Sequence, residues 1–549
     1  MCKKVLAMYD VRGIQNYIYR TPHIKDAMGA SIIVEKIIVN ALKDACQKQS
    51  EEKTLKLDIN DKDLDWEEGD DDNKIAKPFQ PSNKSVQVLY IGGGNAYVMY
   101  KNKDLCIAIN KKMSKYIIEN TYSLQLATTY VEVTGDYEKD YDKLREEMNK
   151  VKANMSGAKP LGAIPIMKTE IKTGYPAVAD VEIDKYRVDI SKETFLKLDE
   201  KNEKIKELKE DKFLENYINE GKDSRIAVVH IDGNNMAKRI AKQIENIKDY
   251  TKAINIMREI SHNIKTAYSK TFEDMKSKFD NKTVLPNENI KSFVRKIIVA
   301  GDDITYVCNA HIALETVRYF SENIAGKVMV NNDNLEELEE KEKKEKIKEY
   351  IKEYGFSICA GIAYIGSHFP FYTAYEVAEE CCSNAKKVAK AEENRDGEHI
   401  GNYVDFQICK NIHCRNLDRI RQEEYCTPTG ENLLIRPYYI PTGYQYELEK
   451  NANKENDYTN LKKNIIAFSD SKNIPRSYVK DICNTYSLGK YQTNTLYSFL
   501  KSRKHKLPNG ENEMYRDING KSTALWYDAV EIMDYNLFIL KDKENVNEI

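Results

Sequence analysis

The stretch KIIVAGDDITYVCN, Lys296 to Asn309, decides how the chain is read. It divides into two short apolar strands, Ile297 to Ala300 and Ile304 to Cys308, joined at Gly301-Asp302-Asp303. A turn this tight needs a residue tolerant of unusual backbone angles, which Gly301 supplies, and it lifts two adjacent carboxylates to the tip of a hairpin. Hard divalent cations favour oxygen ligands of this kind, although an Asp-Asp pair in a β-turn is by itself ordinary turn chemistry.

A segment upstream gives that pair its weight. Arg225-Ile-Ala-Val-Val-His-Ile-Asp232 is an apolar strand that ends in a carboxylate and runs into Gly233-Asn234-Asn235-Met236, a helix start. Asp232 and Gly301 are 69 residues apart, room for one long helix and a loop that return the second strand beside the first. The spacing predicts that Asp232, Asp302 and Asp303 converge at the carboxyl end of a small sheet, beside a helix N-terminus whose free N–H groups suit phosphate. These are the parts of a two-metal phosphoryl-transfer site.

The same residues resemble the second palm domain of the large polymerase-cyclase subunit of type III CRISPR effector complexes, a palm related to those of diguanylate cyclases and class III nucleotide cyclases. That family carries Gly-Gly-Asp-Asp where this chain has Ala300-Gly301-Asp302-Asp303. The lost glycine is the one farther from the carboxylates, so a tighter substrate approach is expected rather than a dead site. The strand from Phe356 to Tyr364 and the helix holding Ala385-Lys386 resemble the end of the cyclase palm. The resemblance implies an ATP-using nucleotidyltransferase that makes oligoadenylates, expected to be cyclic. Asp232, Asp302 and Asp303 would be its catalytic residues and the ligands of two Mg²⁺ or Mn²⁺ ions, while Gly233, Asn234, Asn235, Gly301 and Lys386 would meet the nucleotide. Guide or target RNA and other effector-complex subunits are the partners it implies.

Composition bounds the rest. With 549 residues, 41% of them hydrophobic, the chain can bury several cores. Lys plus Arg at 85 against 87 acids gives a formal charge of −2, which excludes a dedicated nucleic-acid-coating protein and leaves only local basic patches. Met1 to Met8 is too short and too soon followed by charge for a secretory core, and no run of 18 apolar residues exists, so a cytoplasmic location without membrane contact is expected. Eleven cysteines at irregular spacing fit reduced thiols, and Cys409, His413 and Cys414 lack the second pair that a zinc site needs. No His-Asp dipeptide occurs, so the HD nuclease of many relatives is not expected.

The N-terminal part repeats the plan. Lys4 to Asp10 is again a strand ending in Asp, followed by helical patterns through Tyr17 and from Ile32 to Leu42. After a polar, acidic insertion at 48 to 84 comes Val86 to Tyr100, a strand-turn-strand around Gly92-Gly93-Gly94-Asn95, with 83 residues between Asp10 and Gly93. Set against the second copy, Asn95 and Ala96 take the places of Asp302 and Asp303. The first copy therefore lacks the carboxylates for metal, although Gly92, Gly93, Gly94 and Asn95 would let a nucleotide approach the backbone; it is expected to support rather than catalyse.

The expected fold is α+β, with two ferredoxin-like palm domains of the nucleotide cyclase and polymerase type. A degenerate palm at 1–160 leads through a connecting segment at 161–222, free of the cysteines of the family's zinc module, to a catalytic palm at 223–402 and a C-terminal helical domain at 403–549. The last carries a basic cluster of Lys501, Arg503, Lys504, His505 and Lys506, either solvated or a contact for RNA or a partner. Two other readings stay open: a scaffold subunit whose site at most binds nucleotide, to which Ala300 and Ala237 lend weight, and a diguanylate-type cyclase, which Asp-Asp fits poorly.

Overall fold

The computed structural model describes residues 3–21, 24–53, 85–92, 94–155, 163–183, 186–198, 225–280, 292–328, 355–396, 401–410, 416–442, 455–471, 474–505, 507–508, 513–518, 520–536 and 539. The acidic run from Asp58 to Asp72, the charged stretch 335–350, most of the connector 192–222, and Gly93, His413, Cys414 and Lys506 lie outside them. The chain divides into two compact units: Met1–Asp211 with Asn235–Thr266, and Lys212–Asn234 with Ala267–Ile549.

The first unit is built on β1 (Val5–Arg12), β2 (Val86–Gly92), β3 (Asn95–Tyr100) and β4 (Gln125–Glu132), in the order β2-β3-β1-β4. Its helix Lys103–Thr121 starts where the Asn102 side chain accepts a hydrogen bond from the Leu105 N–H, and it buries Cys106, Ile109, Met113 and Ile117 along one stripe. Ile254 and Met257 pack in this unit with Leu6, Met8, Met99 and Leu144. The expected connector is itself a packed module. Here β5 (Ala177–Ile183) and β6 (Tyr186–Ser191) form a hairpin, and the helix Lys192–Lys197 follows. The fully buried Lys197 ammonium fastens it, donating to Tyr17 O at 2.6 Å and to Glu193 at 2.7 Å.

The second unit holds β7 (Arg225–Gly233), β8 (Val294–Ala300), β9 (Asp303–Asn309), β10 (Ile358–Gly366), β11 (Asn402–Ile408) and β12 (Tyr438–Ile440), in the order β12-β11-β10-β7-β9-β8. Its run β8-β9-β7-β10 reproduces β2-β3-β1-β4 strand for strand. Even the irregularity recurs: each hairpin's first strand bulges at the third residue before its last, Leu89 in β2 and Ile297 in β8. In the first unit Arg258 caps the bulge, donating to Leu89 O at 2.7 Å and Val88 O at 3.0 Å.

The parallel pairing of β10 with β11 needs a crossover, which the helix Phe371–Asp396 supplies. That helix lies flat on the sheet because β10 has Gly361 beneath it. A Cβ there would come within 1.9 Å of Ala378 O and 2.4 Å of Cys382 N. Cys381 and Cys382 are core residues, buried with Ala385 and Ala389, and the Cys382 thiol donates to Cys359 O at 3.2 Å. The segment from 403, expected to be helical, instead begins by completing β11 and adding β12 to the palm sheet. A short helix, Leu417–Glu424, lies between these two strands, and the helices Tyr458–Ser469, Arg476–Leu488 and Lys490–Ser502 and a small hairpin of β13 (Tyr515–Ile518) and β14 (Lys521–Ala524) follow β12. Among the described residues no helix is long and apolar enough to cross a membrane.

Candidate functional site

The site lies at the carboxyl end of β7 and the tip of the β8–β9 hairpin. Gly301 takes the left-handed φ of +66° that the turn requires, and Ala300 pairs with Asp303 across it. Ile231 pairs with Ile304, so one further step of the register sets Asp232 opposite Asp303. Gly233 lets the tip close down. A Cβ on it would stand 2.8 Å from Asp302 Cβ, 2.9 Å from Asp302 Oδ2 and 2.8 Å from the Tyr268 hydroxyl.

Crowding of like charge away from water raises proton affinity. Burial, then the charge of Asp232, pushes the Asp302 carboxyl up to about 6. Burial, then Asp232, Asp302 and Glu379, pushes Asp303 up to about 7. The Asp303 side chain keeps 36% of its surface exposed, so solvent tempers that shift, yet its Oδ1 is buried without a hydrogen-bond partner. His230 Nδ1 lies 3.6 Å from that oxygen and 3.1 Å from Thr305 Oγ1. Burial, against the pull of Asp232, pushes His230 down to about 4, so the ring is neutral at pH 7.

Lys386 reaches in from the helix Phe371–Asp396 and forms a close ion pair with Asp232 Oδ2. Burial alone would lower its pKa, but the charge and hydrogen bond of Asp232 outweigh this and hold it above the ordinary lysine range. The donor chemistry suits a hard divalent cation: three carboxylates, of which Asp302 and Asp303 have raised proton affinity and Asp303 also an unpartnered buried oxygen. Their present arrangement has an ammonium group in place of one. Among the described residues no three His, Cys, Asp or Glu side chains group around a single cation position.

The remaining expected residues fall differently. Asn234 is buried, and its amide donates to Ser357 Oγ and Gly401 O, each at 3.2 Å, while its N–H donates to Ser357 O at 2.9 Å. It ties β7 to β10 and does not offer itself to a phosphate, which corrects its expected role. Asn235 takes a left-handed φ of 53° at the N-cap position of the helix Met236–Ile244, whose residues group with the first unit.

In the first palm, Asp10 pairs with Asn95 and Gly92 pairs with Asn95 across the turn. Gly94 and Asn95 are thus the counterparts of Asp302 and Asp303, one residue earlier than the expected pair of Asn95 and Ala96. Ala96 is buried opposite Tyr9. Gly92 is a packing glycine, since a Cβ there would meet the Tyr90 hydroxyl at 2.4 Å. Asp10 is ion-paired with Lys152 on the helix Tyr137–Asn154.

Two residues of the second palm's site were not anticipated. His230 stands two positions before Asp232 on the same strand face, and Glu379 stands two helical turns before Lys386, so both periodicities pointed at the site. Burial, then Glu376, Glu380 and Asp232, raises Glu379 above the usual carboxylate range.

A sheet of this order with carboxylates at the end of its first strand and at its hairpin defines a palm of the nucleotide cyclase and polymerase class. Residues 225–397 match the family model described as Cas10/Cmr2, second palm domain. The chain is similar to the crystal structure of a Csm1–Csm4 cassette in complex with AMPPNP, at 11% identity over 98% of this chain and 70% of that one, with a TM-score of 0.47. It is similar to Csm1 of T. onnurineus, at 13% identity, 98% and 70% coverage and a TM-score of 0.48. A Csm1–Csm4 cassette in complex with cA4 shows 12% identity, 97% and 70% coverage and a TM-score of 0.48. No curated protein sequence matches the chain.

Proposed function

We propose that the chain is a nucleotidyltransferase that joins adenylates from ATP into oligoadenylates, closing them into rings, as a subunit of a type III CRISPR effector complex. The observation that best supports this is the convergence of Asp232, Asp302 and Asp303 at the end of a Cas10/Cmr2-type palm, with Asp302 and Asp303 at raised proton affinity. A ribose 3′-hydroxyl attacks the α-phosphate of ATP; the new P–O bond replaces the bond to pyrophosphate, which leaves, and the hydroxyl proton passes to solvent. Asp232, Asp302 and Asp303 would hold Mg²⁺ or Mn²⁺, which when bound supplies charge neutralisation and an activated hydroxyl. Gly233 keeps the strand end bare, and Lys386 is within the site to meet a triphosphate. Gly301 shapes the turn. Other effector subunits and guide or target RNA are the partners this reading entails.

A second reading has a specific observation behind it. Lys386 already neutralises Asp232, as it would in a scaffold subunit that binds nucleotide without turnover. Incubation of the purified chain with labelled ATP and Mn²⁺, with and without RNA, separates the two. Wild type should release pyrophosphate and form oligomers, and Asp302→Ala with Asp303→Ala should cut the rate at least about a hundredfold. No oligomer from wild type under any condition favours the scaffold.

A further inference from the structure

The two palms carry one ion pair in common. In the first, Asp10 near the end of β1 pairs with Lys152; in the second, Asp232 near the end of β7 pairs with Lys386. The surroundings differ. Beside Asp10 the hairpin offers Gly94 and the neutral Asn95, so one carboxylate meets one ammonium group. Beside Asp232 it offers Asp302 and Asp303, so three carboxylates share one ammonium group, and an oxygen of Asp303 is left buried without a partner. A single positive charge balances the first site and leaves the second in deficit.

We infer that Lys386 is a resident counter-cation that a divalent metal ion must displace from Asp232, whereas the Lys152–Asp10 pair is permanent. This rests on the reading of Asp232, Asp302 and Asp303 as metal ligands. The metal and the ammonium group compete for the same Asp232 oxygen, which accounts for three carboxylates that are close yet not grouped around one point. Metal binding then frees the lysine. Its side chain, 24% exposed and carried on the helix Phe371–Asp396, becomes available to the substrate's phosphates as the metal arrives. Lys152 meets no such competitor.

The test measures binding, not turnover. Free Mn²⁺ is followed by electron paramagnetic resonance during titration of the full chain without nucleotide. Lys386→Met, which keeps the length of the side chain and removes its charge, should bind Mn²⁺ roughly tenfold more tightly than wild type. Lys386→Arg should stay close to wild type, which shows that charge and not altered packing is responsible. Lys152→Met should leave the affinity and the number of sites unchanged. Mn²⁺ binding by wild type that is equal or weaker in Lys386→Met overturns the inference alone. A new class of sites in Lys152→Met overturns the contrast between the palms. No Mn²⁺ binding by wild type or Lys386→Met overturns the metal reading of the site and the inference with it.

Discussion

At the scale of single residues, Asp302 and Asp303 tie the site to pH. Their folded values, about 6 and about 7, lie above the ordinary carboxylate range, so between about pH 4 and pH 7 the folded chain binds more protons than the unfolded one. The protonated forms therefore stabilise the metal-free fold at low pH, and this contribution is lost as pH rises through 6 and 7. Asp303→Asn should remove part of that slope and raise the melting temperature of the metal-free chain at pH 8 by about 1–3 °C, with no gain at pH 5. Melts at both pH values without metal check this; an unchanged slope would mean that the carboxylates are not crowded. The strand that ends near Asp232 and the hairpin that carries Asp302 and Asp303 were legible because both lie in clear apolar runs. Asn234 was not, because its partners Ser357 and Gly401 lie 123 and 167 residues further along the chain. A local run of Gly-Asn-Asn looks alike whether its amide faces a phosphate or a distant carbonyl.

Two elements set the position of the site's lysine and the stability of the sheet behind it. Gly361→Ala would drive a methyl group into Ala378 O, so the helix Phe371–Asp396 must lift. A loss of about 1–3 kcal/mol is expected, read by chemical denaturation. At the start of the helix Ala313–Ile324, buried Glu315 accepts from Tyr458 at 2.8 Å and from Arg318 at 2.8 Å, with Lys462 at 3.4 Å. Burial would raise its pKa, but Arg318, Lys462 and the Tyr458 hydroxyl together hold it below the usual range. The stability it gives is present above the unfolded carboxylate value and lost as pH falls through the lower folded one. Glu315→Gln should cost about 3 kcal/mol at pH 7 and progressively less below about pH 4, a difference that paired denaturation curves resolve. Most strands and helices were legible from period alone. The three-residue β12 was too short to leave a pattern, and the three-residue spacing of Ile254 and Met257 marks a buried face without saying what it buries against.

For the whole molecule, the duplication was legible from two strands ending in Asp, each followed by a glycine-bearing hairpin. The unit boundaries were not, because the segment Asn235–Thr266 is continuous in sequence with β7 yet shares its apolar contacts with the first palm. The two copies make an asymmetric prediction. Asp10→Ala should leave Mn²⁺ binding intact, and Asp232→Ala should abolish it, as titration of each full-length variant would show. Metal lost with Asp10 and kept without Asp232 would reverse the assignment of the catalytic copy.

The strand that carries Asp232 has a neighbour on each side for almost its whole length, β10 on one edge and β9 on the other. Its amides can exchange with solvent only when the sheet itself parts, whereas β8, at the end of the row, can open alone. Deuterium uptake should therefore be slowest in peptides spanning 226–232 and markedly faster in those spanning 294–300. The seat of Asp232 then lasts as long as the domain stays folded. A carboxylate seated on the innermost strand does not wait for a loop to settle before each encounter with a ligand, and it disappears only when the domain unfolds.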